Sequence, residues 1–438
     1  MSDVFKDFVK YVGTNTVGMI ATAICMIVDY WFIASAMGTD GLAAFSLGLP
    51  IYSITWGIGM MLGVGGGAKY AELHAMGDES QANKVFTITI KMGLIVIIPL
   101  VLGGFFLGNM ISMLLGAEGY ILPMVTGYVS TILILSPGLI LYGIFESFTR
   151  NDDSPKAAMI SSIIFNVMNI VWDAVFIFGF GWGMVGAGLA STLAGFCALL
   201  YLVVHWKIKK TNFRFVNAQL KIKQVLSICE IGLPSFNSEF LYGFIHITFN
   251  ITFLSLAGNI GVAAFGIVSS LANLSFYIFS GVGQGIQPLA SYYYGVKEKL
   301  NLKKVLDYAL ITSICFSAII IAIVYLFTDP ITSILNTEQD AVLSALANTG
   351  VRIYFLSYIF VGITTVAIAF MSVTSAPKIA LVISVLQNGA LIIPLIFIMS
   401  RLFGIYGAWA SYPVSELLLV VASIFFMYRA NRIHRQIL

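Results

Sequence analysis

Twelve long apolar stretches follow one another along this chain and leave little room for anything else. They run roughly 12–36, 42–67, 86–108, 120–143, 157–179, 184–205, 227–256, 262–287, 306–327, 348–373, 378–400 and 404–428. A helix needs about 20 mostly apolar residues to cross a bilayer. Of the 438 residues, 59% are hydrophobic and 10% charged, against about 25% charged in a soluble domain. A water-soluble globule cannot hide that much apolar surface, so the chain reads as an all-α polytopic membrane protein with twelve transmembrane helices. The Gly and Pro residues inside the stretches fit this reading, because neighbouring helices can satisfy backbone groups that they free.

The basic residues set the expected topology. With the N-terminus inside, all of the 23 Lys and Arg except Arg352 and Arg401 fall in cytoplasmic segments. This is the positive-inside pattern, and it places both termini in the cytoplasm of a multi-pass cytoplasmic membrane protein of bacterial or archaeal type. The N-terminal MSDVFKDFVK has no cleavable signal pattern, so the first helix is expected to remain as an anchor. Cys25, Cys197, Cys229 and Cys315 lie in separate apolar stretches with no paired spacing, and the four histidines show no ligand spacing. No disulfide framework, metal motif or cofactor is expected. The longest basic connection, WKIKKTNFRFVNAQLKIKQ (206–224), reads as a linker at the inner surface that touches anionic lipid.

The chain repeats itself. AMGTDGLAAF (36–45) resembles LAGNIGVAAF (256–265), SPKAAMISSIIFN (154–166) resembles APKIALVISVLQN (376–388), and GMVGAGLAS (183–191) resembles GIYGAWAS (404–411). Three matches in order at nearly one offset imply two pseudo-symmetric six-helix lobes. Their expected bounds are 1–205 and 227–438, joined by the linker 206–226. An even number of spans per half makes the repeat parallel, an architecture used by transporters that rock two bundles about a central cavity.

Ionisable groups in the membrane are costly and point to function. Away from span ends the carboxylates are Asp29, Asp173, Glu239 and Glu416. Asp29 lies seven residues before Ala36 and Asp173 six before Gly179, so both sit roughly 10 Å below the outer ends of their spans. Asn169 shares a face with Asp173, and Ser191 falls at comparable depth on the next span. Two carboxylates, an amide and a hydroxyl can form a site for a small hard cation such as Na+. The same two carboxyls, held close in a low dielectric, can instead carry a proton. The residue types leave both ions open. A second polar stripe, Glu239, Tyr242, His246 and Asn250, occupies one face of span seven. It reads either as hydrogen bonding between helices or as a substrate surface. Glu416, near the middle of span twelve, faces the same choice and reads as structural. The chain also holds 33 Phe, 20 Tyr and 17 Met, which suit a wall for varied organic cations and suit ordinary packing equally.

VDYWFIASAMGTDGLAAFSLGLPI (28–51), RNDDSPK (150–156) and NIVWDAVFIFGFGWGMVGAGLAS (169–191) resemble the multidrug and toxin extrusion (MATE) family. The resemblance covers both halves and is more specific in the first. It implies two six-helix lobes about a V-shaped cavity, and extrusion of compounds driven by an inward Na+ or H+ gradient. The family's first-lobe cation site falls on Asp29, Asn169, Asp173 and Ser191, where the hydroxyl is more often a threonine; here Thr192 stands beside it. Some members carry further acids in helices seven and ten. Here the helix-seven position falls on Tyr242, Glu239 is three residues closer to Pro234, and span ten has no carboxylate. Coupling is therefore assigned to the first lobe.

The expected function is a cation-coupled efflux antiporter for amphipathic, cationic, drug-like small molecules. It would sit among membrane lipids, act as a monomer and bind no nucleic acid. A flippase for lipid-linked precursors is the alternative within transport, but such cavities need basic residues for phosphates, and no Lys or Arg lies mid-span. The chain reads as a non-enzyme, since HExxH and GxSxG patterns are absent, and no repeated filter segment suggests a channel.

Overall fold

The computed structural model describes residues 3–208, 211–336, 340–374 and 376–436, without the side chains of Asp3, Thr39, Tyr242, Gly243, Asn259, Ile334, Leu335 and 427–436. Nearly all of these residues are helical. The spanning helices are α1 (Val4–Gly38), α2 (Asp40–Ala75), α3 (Glu79–Leu114), α4 (Gly119–Ile134 and Ser136–Asn151), α5 (Pro155–Gly179), α6 (Gly183–Ile208), α7 (Ile222–Gly258), α8 (Ile260–Gly295), α9 (Lys299–Leu326) and α10 (Ala341–Val373). The last apolar helix, Pro377–Phe426, has 50 residues. At 1.5 Å per residue it would be about 75 Å long, far more than one bilayer crossing needs. It breaks at Gly404, where φ is 60° and ψ −139°, and so supplies two spans, α11 and α12. The described residues thus carry twelve spans, as the hydropathy predicts.

Local chemistry explains the breaks. Gly38 (φ 61°, ψ −149°) and Gly258 (φ 62°, ψ −152°) adopt nearly the same backbone conformation at related places in the two repeats. Gly183 and Gly404 form a second such pair, with φ of 51° and 60°. These angles are strained for residues with a Cβ. The internal repeat is therefore written into the backbone as well as the sequence. α4 bends by 48° between its two parts, where Pro137 in the first turn of the second part ends the hydrogen-bond ladder of the first. The helices also outrun their apolar windows: α1 starts at Val4, α2 reaches Ala75 and α4 reaches Asn151. A helix keeps its backbone bonds beyond the point where its side chains turn polar, so hydropathy marks the apolar band and not the helix ends.

Two compact units divide the chain. One holds Val9–Phe240 with Ser291–Lys299, the other Met1–Phe8, Leu241–Ala290 and Leu300–Leu438. In the first unit α2 and the start of α7 touch backbone to backbone. A methyl group at Gly65 would stand 2.0 Å from the Ile228 carbonyl oxygen, and one at Gly232 would stand 1.9 Å from that of Met61. The second unit is built around stacked aromatics, with Phe249 on Phe265 at 4.9 Å and Phe253 on Trp409 at 4.1 Å.

Part of the 206–226 connection is pinned to the first unit. Asp152 accepts from Tyr70 Oη at 2.6 Å and from the Asn212 backbone N–H at 2.9 Å. Arg214 N–H donates to Asn83 Oδ1, Val216 N–H to Thr87 Oγ1, and Lys91 Nζ to the Ala218 carbonyl. Phe213 is wholly buried among Tyr70, Phe86, Phe145, Phe148 and Trp206. The linker is thus a docked strap whose basic side chains Lys207, Arg214, Lys221 and Lys223 remain exposed. Lys209 and Lys210 lie outside the described residues.

Valine at Gly65 or Gly232 cannot fit this helix crossing and should cost roughly 3 kcal/mol. Thermal unfolding of detergent-purified protein should show both variants with lowered Tm, and alanine at Gly103, where nothing lies within 4 Å of the added Cβ, with an unchanged one.

Candidate cation-binding site

The seam between α1 and α5 in the first unit is a ladder of polar contacts, and the four residues singled out on α1, α5 and α6 meet at its far end. The ladder starts near Arg150, which is 1% exposed. Its Nη1 donates to Asn15 Oδ1 at 2.6 Å and lies 3.2 Å from Glu146 Oε1. Tyr11 Oη donates to Asp153 at 2.8 Å. Along α1, Ser162 reaches the Gly18 carbonyl at 3.5 Å, and Asn166 Nδ2 donates to Thr22 Oγ1 at 3.1 Å. Side chains spaced by three or four residues share one face of each helix, so the sequence periodicity builds this stripe.

At the end of the ladder Asn169 joins three helices. A carboxylate only accepts hydrogen bonds, so the Asn169 amide turns its nitrogen to Asp29, at 2.9 and 3.0 Å from the two oxygens. The other end of the amide is 3.4 Å from Ser191 Oγ on α6. The Asp29 and Asp173 carboxyls face each other within hydrogen-bonding reach. Asn169 and Asp173 are 2% and 3% exposed, and Asp29 is half-buried. Asp173 Oδ1 is buried without a hydrogen-bond partner among the described residues. An unsatisfied buried carboxylate oxygen is expensive and is a natural ligand for a proton or a hard cation. Directly after Asp173 the helix widens into a π-helical stretch, Ala174–Gly179. Such stretches are frequent at functional sites, where they re-aim side chains.

Thr192 does not join the cluster. Its hydroxyl donates to the Gly188 and Leu189 carbonyls of its own helix. Cys25, one turn before Asp29, does join it. Its Sγ lies 2.9 Å from the Asn169 amide and 3.8 Å from Asp29 Oδ1. The i, i+4 spacing to Asp29 was visible in the sequence, but a thiol among apolar residues carries no polarity signal of its own.

The span-seven stripe is not a single cluster. Glu239 belongs to the first unit, where it is half-buried beside Gly57. His246 and Asn250 belong to the second. His246 packs on the Phe265 ring at 5.6 Å. The side chains of Glu239 and Asn250 make no hydrogen bond to any described residue, and the Tyr242 side chain lies outside the described residues. The repeat also does not copy the cation cluster. Positions 220 and 222 residues on from Asp29 and Asp173 hold Phe249 and Leu395.

The chain is a polytopic membrane protein built from a duplicated six-helix repeat. Residues 16–175 and 234–398 both match the family described as MatE, and the chain belongs to that family. It is 27% identical over 429 residues to the multidrug export protein MepA of Staphylococcus saprophyticus, covering 98% of this chain and 94% of that protein. With MepA of Staphylococcus aureus it shares 28% over 430 residues, with the same coverage of 98% and 94%. A MATE protein crystallised in complex with MaL6 matches the fold with a TM-score of 0.93, covering 99% of this chain and 98% of that one at 18% identity. An outward-facing multidrug resistance MATE transporter of the MOP superfamily gives 0.93 as well, covering 99% and 97% at 18% identity.

Removing one partner of the buried pair at the base of the seam leaves an uncompensated charge. Arg150→Met should destabilise the protein by about 3–5 kcal/mol, and adding Glu146→Met should restore most of the lost Tm. A single variant as stable as the parent would show that the pair is not holding the α1–α4–α5 junction.

Proposed function

We propose that this protein is a secondary active multidrug efflux antiporter, exporting amphipathic cationic organic compounds in exchange for an inward H+ or Na+. The observation that carries the reading is the Asp29–Asn169–Asp173–Ser191 cluster, a pair of facing carboxyls within the spans, one buried and one half-buried. Two carboxylates at contact in a low dielectric repel unless a cation lies between or upon them. Cation binding therefore draws α1 and α5 together through Asp29 and Asp173, and cation release sets the two carboxylates against each other. Asn169 keeps Asp29 in place in both states. The π-helical stretch after Asp173 gives α5 a place to yield. Binding of the cation and of the substrate then favour different conformations, which an exchanger requires, because a ligand shifts an equilibrium only through differential affinity.

Multidrug export by the Staphylococcus MepA relatives supports the substrate class. The charge pattern supports an orientation with both termini in the cytoplasm. No resident cofactor is invoked: the exchanged cation is the cargo that drives the cycle. Because one chain carries both repeats, the proposed unit of function is the monomer in its lipid. Flipping of lipid-linked precursors fits less well, since the spans offer no mid-membrane Lys or Arg to receive a phosphate.

In proteoliposomes with Na+ and pH gradients imposed separately, one of the two should drive ethidium transport. Asp29→Asn and Asp173→Asn should reduce it to the level of protein-free vesicles while Tm stays close to the parent. Ser191→Ala should weaken the dependence on the driving ion, and Thr192→Val should leave it intact. Full ethidium export by either aspartate variant would sink the coupling reading.

A further inference from the structure

Glu416 on α12 is wholly buried, in the unit where the repeat-related positions of the cation cluster hold no carboxylate. Gln387 on α11 donates its Nε2 to both carboxylate oxygens, at 3.0 and 3.3 Å. The Thr364 hydroxyl on α10 also lies at the carboxyl; it donates its proton to the Phe360 carbonyl at 3.2 Å, which leaves its oxygen to accept. Gln387 and Thr364 are themselves 7% and 0% exposed. Tyr354, on α10, is a titratable side chain facing Glu416, and Tyr412, one turn before Glu416 on α12, stacks on the Tyr354 ring at 4.6 Å. On the packed elements, Lys378 lies nine positions before Gln387, Arg352 twelve before Thr364 and Arg401 fifteen before Glu416. The first two separations are about 13 and 18 Å along the helices, and Arg401 stands on α11, on the other side of the break at Gly404. From α7, His246 packs on the Phe265 ring. Among the described residues no Lys or Arg forms an ion pair with Glu416, unlike Glu146, which is answered by Arg150.

The helix that supplies Gln387 is irregular at that point. α11 widens into a π-helical stretch over Leu386–Ala390, closed by Leu391 N–H bonding back to the Leu386 carbonyl at 3.1 Å. Each unit thus sets a π-helical stretch beside a buried carboxyl: Ala174–Gly179 follows Asp173 in one, and Leu386–Ala390 contains Gln387 in the other. The two stretches are not related by the repeat offset, so the second is not an inherited copy of the first.

We propose that Glu416, Gln387 and Thr364 form a proton-binding site in the second unit, built from different residues than the Asp29–Asp173 pair and exchanging its proton with water. The surroundings of the carboxylate favour a proton over a metal ion. They present an amide nitrogen and a hydroxyl, not the shell of six or so oxygens that a hard metal cation collects. The exchange balances simply: the carboxylate takes a proton from water to become a carboxylic acid and returns it on release. An amide serves both forms. Its nitrogen donates to the charged carboxylate, and when the amide is turned over its oxygen accepts from the carboxylic O–H. The π-helical stretch supplies the local looseness for that turn.

The inference stands apart from the coupling reading, and infrared difference spectroscopy of the purified full-length protein can test it without transport. In an Asp29→Asn/Asp173→Asn background, the stretch of a protonated carboxyl should be present at low pH. It should disappear as the pH is raised, because the acid form gives way to the carboxylate. It should be absent when Glu416→Gln is added and retained when Glu239→Gln is added instead. Gln387→Leu, which removes the amide, should shift its frequency. A band that ignores pH, or that survives Glu416→Gln, overturns the proposal. Should Glu416→Gln fail to fold, Gln387→Leu decides: an unshifted band overturns it. Loss of efflux in the aspartate variants leaves this outcome untouched, so the two readings fail separately.

Discussion

Everything in this structure follows from one restriction: a backbone inside a bilayer has no water to bond to. Each span must satisfy its own N–H and C=O groups, and helices do so. Once that is met, regularity carries little information and departures from it carry a great deal. The reversals at Gly38, Gly183, Gly258 and Gly404 mark where one span hands over to the next. The 48° bend at Ser136 marks where proline interrupts a ladder. The π-helical stretches at Ala174–Gly179 and Leu386–Ala390 mark the two places where a helix gives up its best hydrogen bonding beside a buried carboxyl. The first has no proline or positive φ within it to force the distortion, whereas the second contains Gly389, whose backbone is non-helical (φ 176°, ψ −61°).

The same restriction explains the α1–α5 seam. Apolar side chains give two helices in lipid little reason to choose each other, since the lipid tails are as apolar as the partner. Small residues and polar contacts supply the preference. Gly18 against Ser162, Thr22 against Asn166 and Cys25 against Asn169 do this between α1 and α5. Asp29 sits at the end of a contact that would exist without it. The seam therefore delivers a carboxylate to a second carboxylate with little freedom to move away. That constraint gives cation binding mechanical leverage on α1.

The duplicated scaffold and the unduplicated site illustrate how a repeat evolves constraints separately. Backbone turns recur because every copy must reverse direction in the same few residues, and only glycine meets those angles cheaply. Side-chain clusters need not recur, since each helix face can be repacked. The second unit has put Phe249 and Leu395 where the first holds Asp29 and Asp173, and stacks aromatic rings around Phe249. Its own buried carboxyl arises elsewhere, on α12.

The sequence by itself determined the class of fold, the number of spans and the repeat. These depend on composition and period, which survive in one dimension because each helix must be apolar whatever it packs against. It also determined that Asp29, Asn169, Asp173 and Ser191 lie at like depth, because rise per residue is fixed. Depth does not specify angle about the helix axis or the choice of neighbour. Only the tertiary structure decided that Ser191 and not Thr192 faces Asn169, that Cys25 belongs to the cluster, and that the basic linker is a docked strap. It likewise divided the span-seven stripe between two units and gave Glu416 a partner from a helix 29 residues earlier. Those outcomes depend on how helices rotate against one another. That rotation is set by close approaches such as Gly65 on Ile228, which no single span encodes alone.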